Sequence, residues 1–268
     1  MLIQSPLGGS ENGKFWRPSS DGWPMPVAVE GRGLDSASKG LMRYLALATY
    51  YDGTLAHEGK VDEATLAALE KLSASGRKLL LVTGRHLEDL RKVFGRLDVF
   101  DKVVAENGAL TYDPQTQQIR THCDTPEPRF LDELRKRGVP FQAGHCIVST
   151  WEPHQQAVLD AIKELGLELH VIFNKGSVMV LPAGMNKASG MKKALAEMGI
   201  SAHNLVGIGD AENDHAFMRQ CECSVAVANA LPSVKEQADV VTAEAQGEAV
   251  DRSHGNCWKT TCCATTPN

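Results

Sequence analysis

The chain has no run of eighteen consecutive apolar residues, and residues 1–10 carry no basic segment leading into a long apolar one. A bilayer-spanning helix needs about 20 such residues, so no membrane partner is expected and the protein reads as cytoplasmic. Basic excess is also missing: 28 Lys and Arg against 33 Asp and Glu leave a net charge of −5. No dense Lys/Arg run is interleaved with aromatics, which argues against nucleic acid as a partner. A disulfide framework is lacking too, because the 7 cysteines are odd in number and scattered, as reduced thiols are. Cys257, Cys262 and Cys263, with His254 nearby, match no C-x-x-C pairing of a zinc site. Finally, no G-x-G-x-x-G or Walker pattern follows the first apolar run, which disfavours a nucleotide-binding domain.

What is present suffices for a sizeable core: 268 residues, of which 43% are hydrophobic and 23% charged. Residues 1–41 are rich in Gly, Ser and Pro and show no helical or strand period, so a loose extension is expected there. Residues 243–268 turn polar and small, and an irregular tail is expected. Between them strand and helix patterns alternate. Tyr44-Leu45-Ala46-Leu47-Ala48 reads as a buried strand, and Asp62 can cap a helix with Leu66, Leu69 and Leu72 on one face, ending at Gly76. Leu79-Leu80-Leu81-Val82 and Val103-Val104-Ala105 read as further buried strands, separated by a helix bearing Leu87, Leu90, Val93 and Phe94. This order predicts a parallel sheet covered on both faces, with ligands at the carboxyl ends of its strands.

From about Thr121 the pattern changes to helices around Phe130 and Val158, a strand near Ile147–Thr150, and a hairpin turning at Asn174-Lys175-Gly176-Ser177. Strict alternation resumes at Lys187. The expected fold is α/β: a doubly wound, Rossmann-like core over 42–120 and 185–242, split by a small α+β domain over 121–184.

Four features fall at, or just beyond, the carboxyl ends of predicted core strands. Asp52-Gly53-Thr54 follows the first strand, where glycine permits a tight turn and an aspartate can act as acid and base. Thr83-Gly84-Arg85 follows the second and is expected to open a helix, offering a hydroxyl and backbone N–H groups to an anion; the plainer alternative is a helix cap. Lys187 begins the re-entering helix, against the helix dipole. Gly209-Asp210-Ala211-Glu212-Asn213-Asp214 gathers three carboxylates and an amide after a buried strand, a donor set that suits a hard cation such as magnesium.

Tyr50-Tyr51-Asp52-Gly53-Thr54, with these other motifs in this order, resembles the D-x-D-G-T signature and site plan of the haloacid dehalogenase-like hydrolases. Ala105-Glu106-Asn107-Gly108 and the placement of the insert resemble the Cof-like branch, whose cap is inserted there; the resemblance covers roughly residues 42–242. It implies a magnesium-dependent phosphatase acting on a small phosphorylated metabolite such as a sugar phosphate. By resemblance Asp52 shuttles a proton, Lys187 neutralises the transferring group, and Gly53, Thr54, Thr83, Gly84, Arg85, Asn107 and Asn213 line the phosphate. Asp52, Asp210 and Asp214 are the implied Mg2+ set. Trp151, His145, His154 and His170 fall in the cap and are read as a packed aromatic and surface histidines.

One position departs from the signature. The first Asp, which in relatives attacks phosphorus and ligates magnesium, is Tyr50 here. A phenol with a pKa near 10 is only about 0.1% ionised at neutral pH, and its oxygen lies farther from the backbone. Three readings follow: a binder without turnover using Thr83, Lys187 and Asn213; residual attack by water assisted by Asp52 and magnesium at Asp210; or a variant of an otherwise active enzyme. The sequence leaves the oligomeric state open.

Overall fold

The computed structural model describes residues 43–174, 176–211, 215–243 and 245. The expected extension over 1–41, Asn213, Asp214, the Cys257–Cys263 cluster with His254, and all of the expected tail except 243 and 245 lie outside them.

Strand and helix alternate as β1 (Ala46–Tyr50), α1 (Glu63–Ala74), β2 (Lys78–Val82), α2 (Leu87–Val93) and β3 (Lys102–Ala105), followed by β4 (Leu110–Asp113) and β5 (Gln118–Thr121). The middle of the chain supplies α3 (Pro128–Lys136), β6 (Gln142–Ala143), β7 (Val148–Trp151), α4 (Gln155–Leu165), β8 (Leu169–Asn174) and β9 (Ser177–Pro182). Then come α5 (Lys187–Met198), β10 (Leu205–Gly209), α6 (His215–Met218), β11 (Cys223–Ala226), α7 (Pro232–Gln237) and β12 (Val240–Val241).

All five residues of β1 are buried, as a strand with neighbours on both edges and cover on both faces requires. It pairs in parallel with β2 on one side and β10 on the other, within a sheet ordered β12-β11-β10-β1-β2-β3-β4-β5. The strands from β12 to β3 are parallel; β4 and β5 add an antiparallel edge. This edge was not anticipated from the sequence, because β4 is short and every residue of β5 is exposed. Leu47, Leu79, Leu80 and Leu81 form the middle of the main core, each fully buried side chain contributing about 1.5–3 kcal/mol of hydrophobic stabilisation. The smaller sheet, ordered β6-β7-β9-β8 and antiparallel throughout, packs Val148 and Val180 against Phe130, Leu134 and Val158 of α3 and α4.

Two local expectations change. The first strand begins and ends two residues later than the apolar run Tyr44–Ala48, so Tyr50 is its last residue rather than part of the loop beyond. Thr83 does not open a helix: α2 starts at Leu87 with His86 at its N-cap, and Thr83 Oγ1 accepts the Arg85 N–H at 3.1 Å within the intervening turn. By contrast Asp62 caps α1 as expected, accepting from the Thr65 N–H at 2.7 Å.

The placement of α5 depends on two glycines in contact. Gly108 has φ +92°, and a Cβ on Gly190 of α5 would stand 2.4 Å from the Gly108 Cα and 2.7 Å from its carbonyl oxygen. Only a bare backbone permits this approach, which brings the first residue of α5, Lys187, toward the end of β1. Gly190→Ala gains up to about 1 kcal/mol in helix propensity. The overpacking costs about 1–3 kcal/mol, and here it meets backbone on the other side. Net destabilisation is expected in urea denaturation; a neutral or stabilised variant would contradict this packing.

Candidate active site

The register aligns Tyr50 with Val82 and Thr49 with Ile208, so the loops after β1, β2 and β10 leave the sheet at one edge. They surround a cleft of about 180 Å³ that takes in Tyr50, Thr83, Gly84, Arg85, Asp52, Asn107, Lys187 and Asp210. The smaller sheet closes it with Ile172, Asn174 and Met179, which no sequence motif singled out.

Tyr50 is 2% exposed. The Lys187 ammonium nitrogen lies 4.2 Å from its ring centroid, and the Phe217 ring meets it edge-on at 4.8 Å. A cation over an aromatic face gains about 0.5–2 kcal/mol depending on desolvation, which offsets the unfavourable position of a lysine at a helix start. Asn186 and Ser189 close a capping box around that helix start.

Asp52 is held away from this pair. Arg85 donates to it from Nε at 2.8 and 3.1 Å and from Nη2 at 2.6 Å, a two-pronged geometry that fixes the carboxylate's direction. The hydrogen bond to Asp52 raises the Arg85 pKa, although burial opposes it. Tyr51, packed beneath Arg85, has its pKa raised mainly by burial; its hydroxyl donates to the Gly59 carbonyl at 2.8 Å.

Gly53 adopts φ +80°, and a Cβ there would stand 2.1 Å from Asp210 Oδ2. Thr54 donates from Oγ1 to Asp210 Oδ1 at 2.7 Å. These contacts seat Asp210 at the turn after β1. The magnesium implied by the motifs calls for several converging oxygen donors in near-octahedral array. Among the described residues, no three His, Cys, Asp or Glu side chains gather as such a set. Position 50 carries a ring in place of a carboxylate, and Asp52 faces Arg85. The donors described do not fit the ion.

On the far wall, Asn107 has φ 54° and donates from Nδ2 to the Met179 thioether at 2.9 Å. Its neighbour Glu106 is fully buried, with φ 52°, and accepts the backbone N–H groups of His145, Cys146 and Ile147 at 3.0, 2.8 and 3.2 Å. His86 Nε2 lies 2.7 Å from Ser149 Oγ, with Nδ1 3.9 Å from Glu106. Glu106 and His86 thus tie the two sheets together, a role the sequence reading missed: their partners lie about forty or more residues away. Trp151, expected to be packed, is 63% exposed; neither it nor His145, His154 or His170 lines the cleft.

This arrangement can be compared with known proteins. The model of the haloacid dehalogenase-like hydrolase family matches residues 47–141 and 141–252. The chain belongs to this family. Phosphoglycolate phosphatase 2 of Saccharolobus solfataricus is 28% identical over 214 residues, covering 77% of this chain and 89% of that protein. The phosphoglycolate phosphatase of Methanothermobacter thermautotrophicus is 27% identical over 212 residues, with 76% and 95% covered. In fold the chain is similar to a haloacid dehalogenase-like hydrolase from Bacteroides thetaiotaomicron, with TM-score 0.66, 17% identity, and 78% and 99% of the two chains covered. It is also similar to a subclass IIB sugar phosphatase of the superfamily, with TM-score 0.58, 21% identity, and 74% and 92% covered. Members of this family are generally metal-dependent, typically on Mg2+. No described helix is long and apolar enough to cross a membrane.

Burial lowers the His86 pKa, and His145 acts in the same direction, whereas Glu106 and Asp89 oppose it. The unfolded chain, with histidine near about 6.5, therefore binds the proton more readily than the fold. The stability contribution of neutral His86 is present above that value and is lost as pH falls through the lower folded value. Urea denaturation at a series of pH values should show a steeper loss below pH ~6.5 in the native chain than in His86→Gln. Equal slopes would rule out this assignment.

Proposed function

We propose that this chain is a phosphatase-family protein that binds a small phosphorylated metabolite in the cleft, with covalent turnover blocked at Tyr50. The observation carrying this reading is the buried Tyr50 ring, held between Lys187 and Phe217 where the signature places its nucleophile. The phosphoglycolate and sugar phosphatases among its relatives favour a phosphorylated ligand of modest size. A cleft of about 180 Å³, narrowed by Ile172, Asn174 and Met179, agrees with that size.

The chemistry requires an oxygen nucleophile in line with the leaving group, ionised at working pH. Tyr50 supplies a phenol in place of that carboxylate. Asp52, the proton shuttle by resemblance, lies at the cleft with its carboxylate turned to Arg85. Thr83, Lys187 and Asn107 line the same cleft and remain suited to hold a phosphoryl group and its ester.

The test is hydrolysis of a generic aryl phosphate with magnesium by the native chain and by Tyr50→Asp, each checked for folding by thermal melting. Loss of a covalent nucleophile costs on the order of a million-fold in rate, so a gain of at least about a hundred-fold is expected for the Asp variant. Comparable turnover by the two proteins would sink the proposed block.

A further inference from the structure

A second cavity, of about 280 Å³, shares no lining residue with the cleft. It lies where the chain passes between the two sheets. Cys123 to Glu127, on the connection from β5 to α3, form one part of its lining, and Pro182, which ends β9 before the return to α5, forms another. Its floor is apolar: Phe130, Val148 and Val180, from α3, β7 and β9, are each at most 3% exposed.

The mouth is acidic. The charged residues of the lining are Asp124, Glu127 and Glu168, all exposed, and no Lys, Arg or His joins them. Glu127 is paired with Arg129 at 2.5 Å. The Asp124 and Glu168 side chains make no ion pair or hydrogen bond with a described residue. Lys193, whose charge acts on Cys123, stands outside the lining, and Glu106 and Asp124 oppose it there. A ligand that is apolar at one end and cationic at the other satisfies both regions: it removes hydrocarbon surface from water at the floor and places its charge near two carboxylates.

We propose that this cavity is a second binding site, for a small primary ammonium ion carrying an apolar body such as an aryl ring. Its ligand is opposite in charge to the phosphorylated one proposed for the cleft. The occupant reaches both connections between the sheets, through the residues from Cys123 to Glu127 and through Pro182.

The test titrates the full chain with 2-phenylethylammonium by ligand-observed NMR, with 2-phenylethanol and 3-phenylpropionate as neutral and anionic analogues. Saturable binding of the ammonium is expected with a dissociation constant of about 1 mM, the range open to so small a ligand. The alcohol should bind about threefold more weakly and the carboxylate about tenfold, because exposed charge pairs contribute little each. Asp124→Asn combined with Glu168→Gln, both at exposed positions, should lower the affinity for the ammonium to that for the alcohol. Cys123 locates the site: saturating ammonium should slow its reaction with a methanethiosulfonate by about threefold or more, read by peptide mass. The proposal is overturned by absence of saturable binding, by equal binding of the three compounds, by an unchanged preference in the folded double variant, or by an undiminished rate at Cys123.

Discussion

Strand β1 has parallel partners on both edges, and the cleft exists because of that pairing. From β1 the chain proceeds to β2 and β3 on one side, then returns through β10 on the other. Loops leaving two adjacent parallel strands in opposite directions open a crevice at their carboxyl ends. Residue 50 closes β1 at that crevice and aligns with Val82, immediately before Thr83. The Gly108–Gly190 contact then sets α5 close enough for Lys187 to reach the same point. The sheet therefore fixes where residue 50 lies, whatever side chain stands there.

The two cations at the cleft are held by different physics. Arg85 meets a carboxylate in a geometry that directs both groups, while each remains partly exposed to water. Pairs of this kind stabilise a fold by only about 0–1 kcal/mol, so the bond matters chiefly for where Asp52 points. Lys187 meets a buried ring. Two unit charges 4 Å apart at an effective dielectric of 20 interact by about 4 kcal/mol, which exceeds any single surface pair. A charge at residue 50 would therefore act directly on Lys187.

The parts of the fold that sequence patterns revealed are those whose burial is written in a local period. β1, β2, β3 and β10 are short apolar runs, and α1 combines an Asp62 cap with an apolar stripe. Thr83 follows such a run and Lys187 begins the α5 pattern, and both line the cleft. What stayed hidden depends on distant partners. β5 has no apolar signature because both its faces meet water. The direction of Asp52 is set by Arg85, 33 residues away, and Glu106 reads as a loop carboxylate until the N–H groups of 145–147 bury it. Trp151 shows the reverse error: its size suggests a core position, but the outward face of β7 leaves it exposed.

Glu106 also couples the cleft to the cap above it. Both Glu106 and Asn107 adopt positive φ, a conformation that costs of order 1–3 kcal/mol for residues with a side chain. Three N–H bonds from the cap loop offset that strain and stabilise the buried carboxylate. Because Glu106 precedes Asn107, the same strained turn that anchors the cap also sets Asn107 against Met179 at the cleft. Cap position and the shape of the ligand site are thus fixed by one pair of adjacent residues.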